Sequence, residues 1–164
     1  MTPALLFIGF LIAQRLVELW IAQRNTHRLL ARGAQEHAPD HYKLIVAVHA
    51  LWIFAIVVFG FDQAISWAWL AIYAGLQLFR LWILMSLGER WTTKIIILDE
   101  PLVAKGPYQY IKHPNYVLVI AEIIAAPMVL GLTWVAIVFT ILNALVLAIR
   151  IPAENRALAT ITQR

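Results

Sequence analysis

The run Lys105-Gly106-Pro107-Tyr108-Gln109-Tyr110-Ile111-Lys112-His113-Pro114-Asn115-Tyr116 concentrates groups that can do chemistry. It ends a polar loop and opens an apolar stretch. Pro114 suits the first turn of a helix, where its missing N–H is no loss. A helix starting there aims free N–H groups back at the loop, and such an end holds carboxylates and phosphates. Tyrosine faces hold a sulfonium or ammonium by cation–π attraction, and three tyrosines surround this turn. His113 adds a donor or acceptor at the same place. An interfacial aromatic anchor with a plain helix start uses the same residue types, and types alone weigh the two readings evenly.

A second run, Arg150-Ile151-Pro152-Ala153-Glu154-Asn155, follows the last apolar stretch. Arg150 and Glu154 are four apart and share a face if the turn stays helical through Pro152. By itself this is an ordinary charged end. His37 and His41 are also four apart, beside Glu36 and Asp40, but Pro39 between them argues against one regular helix. The chain has no cysteine. Thiolate ligands, disulfides and a cysteine nucleophile are therefore excluded. No metal site is expected, and a loop-packing role suits the two histidines.

The elements that must position these runs are apolar. Of 164 residues, 62% are hydrophobic and 13% charged, against about 45–50% and about 25% in soluble domains. This excludes a soluble or disordered chain and predicts one all-α integral membrane domain over 1–164. The net charge is only +4. The basic residues form no single block, so no nucleic-acid partner is expected. There is no Gly-x-Gly and so no glycine fingerprint for a dinucleotide.

Five transmembrane stretches are predicted near Pro3–Ala22, Leu44–Phe61, Trp67–Leu87, Tyr116–Leu130 and Thr133–Ile149, the fourth being short. No signal-peptide pattern precedes the first, which reads as a retained span. Arg24, Arg28, Arg32 and Lys43 lie in the first long connection. Arg90, Lys94, Lys105 and Lys112 lie in the second, and Arg150, Arg156 and Arg164 at the C-terminal end. The short links hold neither Lys nor Arg. Basic loops stay in the cytoplasm, so five spans predict an outside N-terminus, an inside C-terminus and a cytosolic catalytic loop region. Trp67, Trp69 and Trp134 are expected at the outer interface, Trp20 and Trp91 at the inner one. Lys94–Ile97 is β-prone and could form a short hairpin or lie on the membrane surface.

Charges inside a bilayer face a partner or a cavity. Arg15 and Glu18 share a helix face, and Arg80 with Glu122 could form a buried pair. Asn143 suits interhelical glue. Glu18, Arg80, Glu122 and Arg150 all fall in the cytoplasmic halves of their spans, which suggests one cavity open to the cytosol.

Taken together, the two chemical runs resemble the isoprenylcysteine carboxyl methyltransferase family of integral membrane enzymes. The likeness lies in Gly106-x-Tyr108, His113-Pro114-Asn115-Tyr116 and Arg150-x-x-x-Glu154, within a cofactor-binding half of about residues 90–158. Lys112 stands where the family often has Arg, and Glu100 where it often has His. The earlier half resembles a bacterial subgroup associated with type III polyketide synthases. That likeness rests on Arg15-x-x-Glu18-Leu19, Arg24-Asn25, Arg32-Gly33-Ala34-x-Glu36, His41-Tyr42 and Arg90-Trp91-Thr92-Thr93.

The resemblance implies S-adenosylmethionine as methyl donor. Glu100, Pro101, Leu102, Val103, Tyr108, His113, Pro114, Asn115, Tyr116 and Glu154 would contact it. Arg150 would face the acceptor, with Arg150 and Glu154 as the catalytic pair. Glu18 and Glu122 are further candidates on the substrate side. The acceptor would be a lipophilic small molecule such as an alkylpyrone, carrying an enol, phenol or carboxylate oxygen. The chain stops ten residues after Glu154, without the aromatic tail common in the eukaryotic enzymes. An isoprenylcysteine carboxylate and a phospholipid amine are the rival acceptors. A small transporter is the rival class. A bacterial inner membrane is the expected location.

Overall fold

A computed structural model describes residues 2–162, with side chains as far as Ala159. Arg164, one of the basic C-terminal residues, lies outside them. Five helices make up the bundle: α1 (Pro3–Ala31), α2 (Pro39–Gly60), α3 (Trp67–Leu87), α4 (Pro114–Val129) and α5 (Thr133–Thr162). Proline occupies the first turn of α1, α2 and α4, where a fixed φ prepares the helix and the missing donor is no loss. Thr2 caps α1, its hydroxyl accepting from the Leu5 N–H at 3.3 Å.

The helices are apolar on more than their buried faces. In α1 the buried positions Ala4, Phe7, Ile8, Leu11, Glu18, Ala22, Asn25 and Leu29 recur every three or four residues. The opposite face carries Leu5, Leu6, Phe10, Leu16, Val17 and Trp20, all exposed. A helix hydrophobic all round belongs in lipid. Among the described residues, four helices are long and apolar enough to cross a membrane: α1, α2, α3 and α5. The fourth predicted stretch is the exception.

Helix α4 has 16 residues, roughly 24 Å at 1.5 Å per residue, against about 30 Å of hydrocarbon. It packs between α3 and α5 and buries Leu118, Glu122, Ile123, Ala125, Ala126 and Val129. Its far end is tied by the Ser66 N–H, which donates to the Val129 carbonyl at 2.8 Å. A helix buried along most of its length by its neighbours, with Val117 and Ile120 left exposed, need not match the lipid thickness.

Two helices run well past the C-terminal ends of their predicted spans, and α2 begins at Pro39, ahead of the predicted Leu44. Helix α1 continues beyond Ala22 to Ala31, and α5 continues beyond Ile149 to Thr162. Both extensions lie at the end of the bundle that carries the two long connections. Those connections meet in a two-stranded antiparallel ladder, β1 (Gln35–His37) with β2 (Ile95–Ile97), in the register Glu36 to Ile96. The β-prone Ile95–Ile97 thus pairs with the first connection and forms no local hairpin. Trp91 also departs from expectation. It is 3% exposed and packs with Ala22, Ile83 and Leu118 instead of anchoring at an interface.

The intramembrane charges form one cluster. Arg15 binds Glu18 at 2.9 Å and Glu122 at 2.7 Å. Arg80 binds Glu122 and reaches Glu18 at 3.0 Å. Gln77 donates to Glu122 at 3.1 Å, and Gln14 to Glu18 at 2.8 Å. Two guanidiniums face two carboxylates across three helices, so the buried charges balance. The expected pairs Arg15–Glu18 and Arg80–Glu122 are both present, joined into one network. Arg150 is not part of it, which corrects the single cavity inferred from depth.

Candidate functional site

The start of α4 and the extension of α5 build a second polar group at the loop end. Helix α5 stays helical through Pro152, so Arg150 and Glu154 project toward one side as their spacing allows. Tyr116, in the first turn of α4, bridges them. Its hydroxyl donates to Glu154 Oε2 and accepts from Arg150 Nε at 3.1 Å. Arg150 is 4% exposed, and its Nη2 donates to the Thr93 carbonyl. His113 precedes α4 and pairs Nε2 with Asn155 Oδ1 at 3.0 Å. Its Nδ1 lies 3.7 Å from Glu154 Oε1. The His113 side chain makes no capping bond to α4, so it does not occupy the helix's leading N–H groups.

Tyr108 stands on a 3-10 turn, Gly106–Gln109, that packs against α3. Gly106 has φ +60°, and a Cβ there would overlap Ser86 Oγ. Only glycine meets both demands. The Tyr108 phenol is held above its usual range, first by burial and then by the nearby Glu154 charge. Asn115 Oδ1 accepts from Trp91 Nε1 at 3.4 Å, tying α4 to the second connection.

The structure therefore gathers Tyr108, His113, Pro114, Asn115, Tyr116, Arg150 and Glu154. Within the run Glu100–Val103, Glu100 and Pro101 have partners of their own. Glu100 pairs with Arg90 and Arg32, and Arg90 also donates to the Pro101 carbonyl. Among the described residues no ion pair joins this run to Glu154 or Arg150. A hydrogen bond from Arg90, then the approach of Arg32, holds the Glu100 carboxyl below its usual range. The tether is intact above the ordinary carboxylate pKa and is lost as pH falls through the depressed value. Glu18 and Glu122 sit in the intramembrane cluster, with Glu122 fully buried and both its oxygens bonded. Sequence reasoning did not bring Asn155 and Thr93 into the site. The spacing of Asn155 one position past Glu154 is a weak signal, and a backbone carbonyl such as that of Thr93 leaves none.

An apolar bundle with helices of membrane-crossing length defines an integral membrane protein. The sequence profile of the Isoprenylcysteine carboxyl methyltransferase (ICMT) family matches residues 69–160. That span covers most of α3, all of α4, most of α5 and every residue of the gathered site. The chain belongs to this family and is an integral membrane methyltransferase. It is 39% identical to the uncharacterized protein YpbQ of Bacillus subtilis (strain 168), across 93% of this chain and 95% of that one. An uncharacterized protein of Haemophilus influenzae is 29% identical over 91% of each chain. No solved structure matches significantly.

Proposed function

We propose that the chain transfers a methyl group from S-adenosylmethionine to an oxygen of a lipophilic small molecule at the cytosolic face of a bacterial inner membrane. The observation that carries this reading is the Glu154 carboxylate. It is held by Tyr116, flanked by His113 and half open at 26% side-chain exposure. A sulfonium calls for an anion and aromatic faces, and Glu154 with Tyr108 and Tyr116 offers both. A carboxylate calls for N–H donors, which the start of α4 offers. The residues present fit the donor. When bound, it supplies an electrophilic methyl group.

The acceptor oxygen need not be deprotonated by a strong base. A carboxylate or acidic enol, as in an alkylpyrone, is already ionised near neutral pH. Arg150 can orient such an anion from the level where α5 leaves the bilayer. The protein's contribution is then alignment and exclusion of water. The intramembrane charges, which alone would suit a small transporter, are paired with one another.

Calorimetry with S-adenosylhomocysteine in detergent tests the reading. His113→Ala and Glu154→Ala should each weaken binding by about 1–3 kcal/mol, the usual effect of losing a charged or buried hydrogen bond. Affinities equal to wild type in both variants would place the pocket elsewhere. Orientation has its own test. A reporter fused after Arg164 should be active only in the cytoplasm, because the basic segments lie on that side. A periplasmic signal there sinks the cytosolic site.

A further inference from the structure

A cavity of about 320 Å³ opens on the other flank of α5, lined by His37, Ala38, His41, Ala153, Arg156 and Ala157. At about 100° per residue, Glu154 and Asn155 project to one side of the Arg150 direction, and Ala153 and Arg156 to the other. In direction around α5, Arg150 falls between the two flanks without lining the cavity itself, and Ala153 stands one turn further along. Alanine side chains on α5 and at the start of α2 leave the space open.

The cavity is polar where it matters. His37 and His41 line it with imidazoles, and Arg156 supplies a cation. Arg156 makes no ion pair among the described residues. The acidic neighbours are engaged elsewhere, Glu36 with Lys94 and Asp40 with Lys43. Ala38, between the two histidines' elements, holds φ 50° and ψ 54°. L residues avoid that state unless their surroundings impose it.

We propose that this cavity receives the oxygen-bearing anionic head of the methyl acceptor, with Arg156 as its cationic partner. The inference rests on the methyl-transfer reading above. Cofactor residues then lie on the α4 flank of α5, acceptor residues on the α2 flank, and Arg150 between them. The apolar tail would leave the head toward the lipid-facing helices.

The test uses the full-length protein in detergent, loaded with S-adenosylhomocysteine, and a long-chain 4-hydroxy-2-pyrone as probe. Arg156→Ala removes the cation, and Ala153→Leu fills the space. Each variant should keep wild-type affinity for S-adenosylhomocysteine and weaken pyrone binding about tenfold or more, as for a lost hydrogen bond to a charged group. KM for the pyrone should rise in parallel. Arg156 is exposed, so its variant reports even if Ala153→Leu does not fold. Unchanged pyrone affinity in Arg156→Ala overturns the proposal while leaving the methyl-transfer reading intact. Lost S-adenosylhomocysteine affinity, at an unchanged unfolding midpoint, assigns the cavity to the cofactor and also overturns it. A wild type that binds S-adenosylhomocysteine but no pyrone rejects the proposed head chemistry. A wild type that binds no S-adenosylhomocysteine overturns the methyl-transfer reading, and this proposal with it.

Discussion

Arg150→Lys is expected to lower kcat on the order of 100-fold, the scale of a small misplacement of reacting groups, while leaving S-adenosylhomocysteine affinity near wild type. The guanidinium is buried, with Nε on the Tyr116 hydroxyl and Nη2 on the Thr93 carbonyl. Those two bonds leave further N–H groups of its five for an acceptor oxygen. A lysine ammonium is a point charge on a flexible stem and cannot reproduce the planar fork. It would keep the charge and lose the alignment. The deficit belongs in kcat as well as KM, because a misaligned oxygen loses interactions made in the transition state. The assay needs labelled donor and a long-chain pyrone. A variant with weakened cofactor binding and normal turnover at saturating donor would move Arg150 into the cofactor site.

Glu122→Ala should be the most destabilising single change in the bundle core, by about 3–5 kcal/mol, as for removal of one partner of a buried ion pair. Glu122 bonds Arg15, Arg80 and Gln77 and is 0% exposed. Without it, two buried guanidiniums share Glu18 alone. Replacing the whole cluster by apolar residues of similar volume should cost much less, since balanced buried charges often break even against a hydrophobic core. Thermal unfolding in detergent separates the cases. An Ala variant that melts with the wild type would show that water reaches the cluster and solvates it.

The membrane-crossing character was legible because hydropathy reports which residues prefer lipid. It does not report where a helix stops. Helix α1 reaches Ala31 and α5 reaches Thr162 through polar segments that pack on the loops. The pairing of Arg80 with Glu122 could be read from depth and charge. Depth is one coordinate, however, and says nothing of direction around the bundle. Glu122 and Arg150 therefore looked like neighbours although they belong to separate networks. The start of α4 was readable at Pro114 because proline and the preceding histidine mark a local event. The partner of Ile95–Ile97 was not, because a strand of three residues carries no record of which distant segment completes it. Glu100 shows the same limit. Its charge was visible, but its claim by Arg32 and Arg90 depends on where two connections meet.

The β1–β2 ladder has a consequence for the order of assembly. Its strands are separated along the chain by the whole of α2 and α3, so closing it is a long-range event that must await both. Helices hydrogen-bonded within themselves can enter the bilayer one at a time. The ladder cannot form until the third has emerged, and the Tyr116 bridge to Arg150 and Glu154 must wait for the fifth. Biogenesis thus runs from the lipid outward: the membrane part forms as the chain is made, and the surface that joins Tyr116, Arg150 and Glu154 is the last to close.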